Sequence, residues 1–253
     1  MLGLGTGVVK SGIKGIENFG IVTDNLVLNH SNYHSGQVHQ VSTGAADINS
    51  DGDANEYIDV GTITIGAGDV SVSAWVYVTS FVDYGGIFSN RQIATTNPGI
   101  DIRTRSSGTK IEIIIDNGAN SEISASGALN TRQWYHVCAV WDRSDKQFLY
   151  IDGVLVDSDT ISVNEVGSLS HSNVCMIGRR NFTGTTFDFQ GYICNVGYWN
   201  RTLTQAEIKS IWYKNYANLD ASEKTSLVSW WNLDSVIDST ETVGVGSTTV
   251  YDN

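Results

Sequence analysis

The chain has 253 residues, 41% of them hydrophobic and 10% aromatic, with a formal net charge of −12 and a pI near 4.6. That length and apolar content support one large domain with its own core and exclude a disordered chain. The acidity disfavours nucleic acid and anionic membrane surfaces, because both need clustered Lys and Arg. No apolar run approaches the ~18 residues of a membrane span.

The opening MLGLGTGVVKSGIKGIENFG is glycine-rich. It lacks the uninterrupted apolar run of an export signal and cannot form a core alone. Residues 1–22 are expected to be an arm, either without fixed structure or ordered against a neighbouring subunit. The domain proper is expected over 23–253. His30, His34 and His39 lie within HSNYHSGQVHQ. Their spacing matches no closed zinc site and no cysteine lies close by, so they are expected as solvated loop residues.

Next comes DINSDGDANEYID (47–59). Asp47, Asn49, Asp51 and Asp53 place oxygen-bearing side chains at alternate positions, a pattern that can converge on Ca²⁺. The twelfth position is Ile58 instead of a bidentate Glu, and no helical pattern flanks the loop. The alternative is a polar turn that feeds a strand, and the missing ligand favours it.

From residue 57 to residue 199 period-two alternation dominates. In VSVSAWVYV (70–78), Val70, Val72, Ala74, Val76 and Val78 share one face, and Ser71, Ser73, Trp75 and Tyr77 the other. That pattern predicts a strand with one buried face. Trp75 and Tyr77 then form a candidate ligand-stacking or interface patch, since rings give large contact area at low entropic cost. Further strands are predicted at 24–30, 57–65, 85–89, 99–104, 110–116, 133–141, 147–151, 154–161, 174–178 and 190–199. Asp152-Gly153, between FLYI and VLVD, predicts a type I′ hairpin turn. Many short strands at this spacing mean a sandwich or barrel. One helix is predicted over 202–215. Thr204 is its N-cap, Glu207 lies at capping-box spacing, and Ile208, Ile211 and Trp212 form one stripe.

Cys138, Cys175 and Cys194 cannot all pair within one chain. Each lies in an apolar strand-like run, which predicts buried free thiols and suits a reducing compartment. The Asn-x-Ser/Thr triplets at Asn29, Asn181 and Asn200 would then carry no glycan. Catalytic residues are not expected. Gly-x-Ser-x-Gly and P-loop motifs are absent. Glycoside hydrolysis needs two carboxylates flanking the scissile bond. Glu112 and Asp116 in IEIIID share a face but lie four residues apart, and Asp116 sits beside the predicted turn at Asn117-Gly118.

Three motifs together resemble a known family. They are EYIDVGTITIGAGDVSVSAWVYV (56–78), WYHVCAVWDRSDKQFLYIDGVLV (134–156) and FDFQGYICNVGYWNRTLTQAEIKSIW (187–212). The chain resembles laminin G-like, concanavalin A-like jelly-roll domains. The resemblance implies an all-β fold, a two-sheet antiparallel sandwich with one short helix. His136, Trp134, Trp141 and Trp199 fall in its core motifs and are expected to be structural. SLVSWWNLDSVIDSTETVGVGSTTVYDN (226–253) reads as an added edge strand or the start of a vestigial repeat, the former favoured because nothing comes after it to complete a second sandwich. The opening LGTGVVKSG and GIVTDNLVL are similar to the start of virion structural proteins of marine tailed phages. That resemblance implies a non-enzymatic virion-associated protein of a capsid, tail or fibre, assembled in the host cytoplasm. Its partners would be other virion proteins and copies of itself. The alternative is a lectin-like module that recognises cell-surface glycans, with or without calcium.

Overall fold

The fold was obtained as a computed structural model, which describes residues 42, 44–49, 56–93, 98–116, 122–161, 167–169, 174–182 and 187–233. The predicted arm (1–22), the strand at 24–30, the three loop histidines, and Asp51 and Asp53 lie outside the described residues.

Alternating apolar residues build two sheets packed face to face. The strands in chain order are β1 (Ala46–Ile48), β2 (Ile58–Asp59), β3 (Val70–Val78), β4 (Gly86–Ser89), β5 (Gln92–Ile93), β6 (Gly99–Arg105), β7 (Lys110–Asp116) and β8 (Glu122–Ala128). Then come β9 (Trp134–Trp141), β10 (Lys146–Ile151), β11 (Val154–Thr160), β12 (Met176–Ile177), β13 (Arg179–Phe182), β14 (Phe187–Asp188), β15 (Gly191–Trp199) and β16 (Leu227–Trp231). The first sheet runs β1-β15-β3-β9-β10-β11, with β16 also on β15. The second runs β5-β13-β14-β4-β6-β7-β8, with β12 joining β2 to β4. Pairing is antiparallel except for short parallel contacts of β13 with β5 and β14 with β4. The sequence reading of a two-sheet sandwich therefore holds.

The strands differ from expectation in several places, and the short β1, β5, β13 and β14 were not predicted. β8 (EISASGA) was not predicted, because small polar residues leave no bulky alternation to read. The predicted 57–65 strand shrinks to β2. Residues 227–231 form β16, antiparallel to β15, and the rest of the 226–253 tail beyond residue 233 lies outside the described residues.

Between the sheets lie Val70, Val72, Ala74, Val76 and Val78 of β3 against Ile100, Ile102, Ile111, Ile113 and Ile115 of β6 and β7, all fully buried. A second apolar layer sits on the other face of the first sheet. There α1 (Gln205–Ile211) and the turn after it press Leu203, Ile208, Ile211 and Leu219 onto Cys138, Val140, Trp199 and Trp230. β3 is thus buried on both faces over most of its length, which alternation alone did not predict. The three cysteines are free and buried, as expected.

Hydrogen bonds anchor α1. Thr204 Oγ1 accepts from Glu207 N at 3.3 Å, and Glu207 Oε2 accepts from Thr204 N at 2.9 Å, completing the predicted capping box. The Arg201 guanidinium grips both oxygens of Glu207, at 3.0 and 2.8 Å, and donates to the carbonyls of Thr202, Ser222 and Thr225. Ser71 Oγ of β3 donates to Arg201 O at 2.8 Å and accepts from Leu203 N at 2.9 Å.

The outer face of the second sheet is ionic. Arg103 reaches Glu112 at 2.6 Å, Arg91 pairs with Asp116, and Arg179 with Asp188. Arg180 Nε lies 2.8 Å from the fully buried Asp101 Oδ2, off the line of a hydrogen bond.

Replacing Glu207 by Ala removes half of the capping box and the bidentate partner of Arg201. We expect a loss of about 2 kcal/mol in urea unfolding, with Glu207→Gln losing less because Gln keeps the cap.

Candidate functional site

The pairing register aligns four residues across the outer face of the first sheet. Asp47 of β1 stands opposite Tyr192 of β15, Tyr192 opposite Tyr77 of β3, and Tyr77 opposite Trp134 of β9. Directly opposed residues project from the same face. The three rings meet: Tyr77 and Trp134 centroids are 5.4 Å apart, Tyr77 and Tyr192 5.7 Å, Trp134 and Tyr192 6.5 Å. All three are half-buried. Among the described residues, neither phenol oxygen nor the Trp134 indole N–H makes a hydrogen bond. Half-buried aromatic bodies with polar tips suit a ligand that is apolar on one face and hydroxylated at its edge.

Gly191 makes the arrangement fit. A Cβ there would sit 1.9 Å from Tyr77 O, so only glycine, at φ +147°, lets β15 close on β3 beneath the rings.

The structure divides the residues singled out in the sequence. Tyr77 joins the triad. Trp75 does not: it is 2% exposed, and its ring meets His136 at 5.7 Å and Trp212 of the α1 segment at 6.5 Å. The expectation of a Trp75–Tyr77 patch is corrected there, because the helix covers one residue and stops short of the other. Trp141 and Trp199 are fully buried, whereas Trp134, expected in the core, is half-buried in the triad. Trp134 and Tyr192 were missed as site residues, since only strand register brings them beside Tyr77.

Asp47 stands half-exposed beside Tyr192, while Asn49 is 2% exposed at φ +46°. Asn49 donates its amide to Phe189 O at 3.5 Å and its backbone N–H to Glu56 Oε2 at 2.6 Å. Among the described residues no three His, Cys, Asp or Glu side chains converge on a metal position. Of the four expected calcium ligands only Asp47 and Asn49 are among the described residues. Glu112 is paired with Arg103 and Asp116 with Arg91.

Beneath α1, burial dominates titration. It holds the His136 imidazole down to about 3. It pushes the Asp152 carboxyl up to about 6, against a hydrogen bond from His136 N. Asp152 (φ +49°) and Gly153 (φ +72°) form the predicted hairpin turn.

Residues 51–209 match the family described as the concanavalin A-like lectin/glucanases superfamily. The match covers more than half of the chain, and the protein belongs to that family. Compared with proteins of curated function, the chain matches none. Among solved structures, a putative carbohydrate binding protein from Bacteroides ovatus is 21% identical, with a TM-score of 0.57 over 77% of this chain and 52% of that one. Domain 4 of an extracellular arabinanase from Geobacillus stearothermophilus, in complex with arabinotriose, is 18% identical. Its TM-score is 0.48 over 61% of this chain and 70% of that one. A heptameric pentraxin from Limulus polyphemus is 19% identical, with a TM-score of 0.48 over 60% and 73%. At these identities the likeness concerns the fold. The chain spans about half the length of the Bacteroides protein.

Placement of the two rings and of the buried pair under α1 can be tested by stability. Trp75→Ala should cost about 3–5 kcal/mol of stability, as a truncated core tryptophan does, and Tyr77→Ala clearly less, both read by urea unfolding. The second test is pH. Between 6.5 and about 3 the unfolded chain protonates His136 and the fold does not, so stability falls as pH drops through that window. Asp152 acts oppositely. The fold keeps its proton up to about 6 and the unfolded chain only to 3.8, so this contribution is present in acid and lost as pH rises through 6. Asp152→Asn removes the opposing slope. Its urea midpoint should fall more steeply than that of the parent between pH 6 and 4.

Proposed function

We propose that the protein is a non-catalytic glycan-binding module and that the Tyr77–Trp134–Tyr192 triad is its contact surface. The observation that carries the reading is the in-register meeting of three half-buried rings whose polar tips have no partner among the described residues. Sugars offer a C–H face to stack and hydroxyls to donate and accept, and this patch offers both complements. Family membership supports a binding role, as does the pairing of the Glu112 and Asp116 carboxylates with arginine.

The virion-borne setting enters as the wider part of the proposal. A patch of three rings in contact is small, and a small site binds weakly unless many copies act together. A capsid, tail or fibre component displays such copies, and pairing of the chain with copies of itself belongs to the same reading.

A glycan array probed with the purified full chain tests the function. Trp134→Ala should reduce binding at least tenfold (about 1.4 kcal/mol) while leaving the thermal midpoint within a few degrees. Binding should persist in a chelator, since the triad needs no ion for its contacts. Release of reducing ends from any bound polysaccharide, or an array with no hits, would end this reading.

A further inference from the structure

The shape of the triad narrows the ligand class, an inference that rests on the glycan-binding reading. Three rings set in line would leave the outer two roughly twice as far apart as neighbours. Here Trp134 and Tyr192, two strands apart, close to 6.5 Å over Tyr77. The rings share no plane, being inclined at 56°, 65° and 44°. A stretched polysaccharide or a crystalline face needs coplanar rings spaced along a line. A compact, angled seat instead takes one sugar ring. The chain carries a net charge of −12, which disfavours a ligand that brings its own carboxylate or sulfate.

We propose that the triad binds a single neutral pyranose, presented at a chain end or a branch, and discriminates against anionic sugars. The two phenols and the indole N–H supply the hydrogen bonds that orient it. Affinity is set by that one residue and does not grow with the length of the glycan behind it.

The test uses tryptophan fluorescence and calorimetric titration of the full chain at low salt. The probes are methyl pyranosides of glucose, galactose and mannose, the di- and tetrasaccharides of the best binder, and methyl glucuronide. Expected are affinities within about threefold from mono- to tetrasaccharide, and at least tenfold weaker binding of the glucuronide. Glucuronide binding should gain on that of the neutral sugars as salt is raised, because the repulsion is then screened. Affinity that climbs tenfold with chain length, or glucuronide bound as well as the neutral sugars, overturns the inference. So does glycan binding that survives both Trp134→Ala and Tyr77→Ala; glycan recognition then stands, at another surface. If no glycan binds on the array or in titration, the functional reading itself falls and takes this inference with it.

Discussion

The hydrogen-bonded lock among Ser71, Arg201 and Glu207 decides what the rest of the molecule can be. Solvent-exposed ion pairs contribute little, because water screens them and two long side chains must be ordered. This one differs in geometry. The guanidinium meets both carboxylate oxygens and three backbone carbonyls while Ser71 pins the same segment to β3. Bidentate, charge-assisted bonds of that kind fix position as well as energy. With α1 held down, Trp75 becomes core and the second apolar layer closes. The helix ends before Tyr77, Trp134 and Tyr192, and the surface it leaves uncovered is the candidate site.

The two sheets treat their outer faces in opposite ways. The first is sealed by a helix and apolar side chains. The second carries arginines and carboxylates in alternation, with Asp101 fully buried among Arg91, Arg103 and Arg180. Tyr84 beside them holds a positive φ of 68° and takes the Arg105 guanidinium at 4.3 Å from its ring centre. Buried ion layers of this kind add little net stability against their desolvation cost, while a broken pair is costly. On this face the layer fixes side-chain positions, since each carboxylate is met by at least one guanidinium group.

At the far edge of the first sheet, β11 shows how an exposed strand is kept from pairing. Leu149 faces Asp157 and Tyr150 faces Leu155, so Val156 is the extra residue of a bulge. Val154, Leu155 and Val156 remain exposed, and Asp157 and Asp159 come next along the strand. A bulge flanked by charges interrupts the flat hydrogen-bonding edge on which another strand would add.

Local chemistry in the sequence determined the elements. Alternation placed β3, β6, β7 and β9, Asp152-Gly153 marked its turn, and Thr204 with Glu207 marked the start of α1, because each depends on neighbours within a few residues. β8 escaped, since Glu-Ile-Ser-Ala-Ser-Gly-Ala carries no bulky alternation and forms only against β7. The site was half legible. Tyr77 could be assigned to an outward face, but whether an outward ring meets solvent or a helix is a property of distant chain. Trp75 and Tyr77 have the same periodicity and opposite fates because α1, about 130 residues onward, covers one and not the other. Trp134 and Tyr192 became neighbours of Tyr77, and Asp47 of Tyr192, only through the registers of β1, β15, β3 and β9. Strand periodicity fixes which face a side chain takes, and only tertiary pairing fixes which groups it meets there.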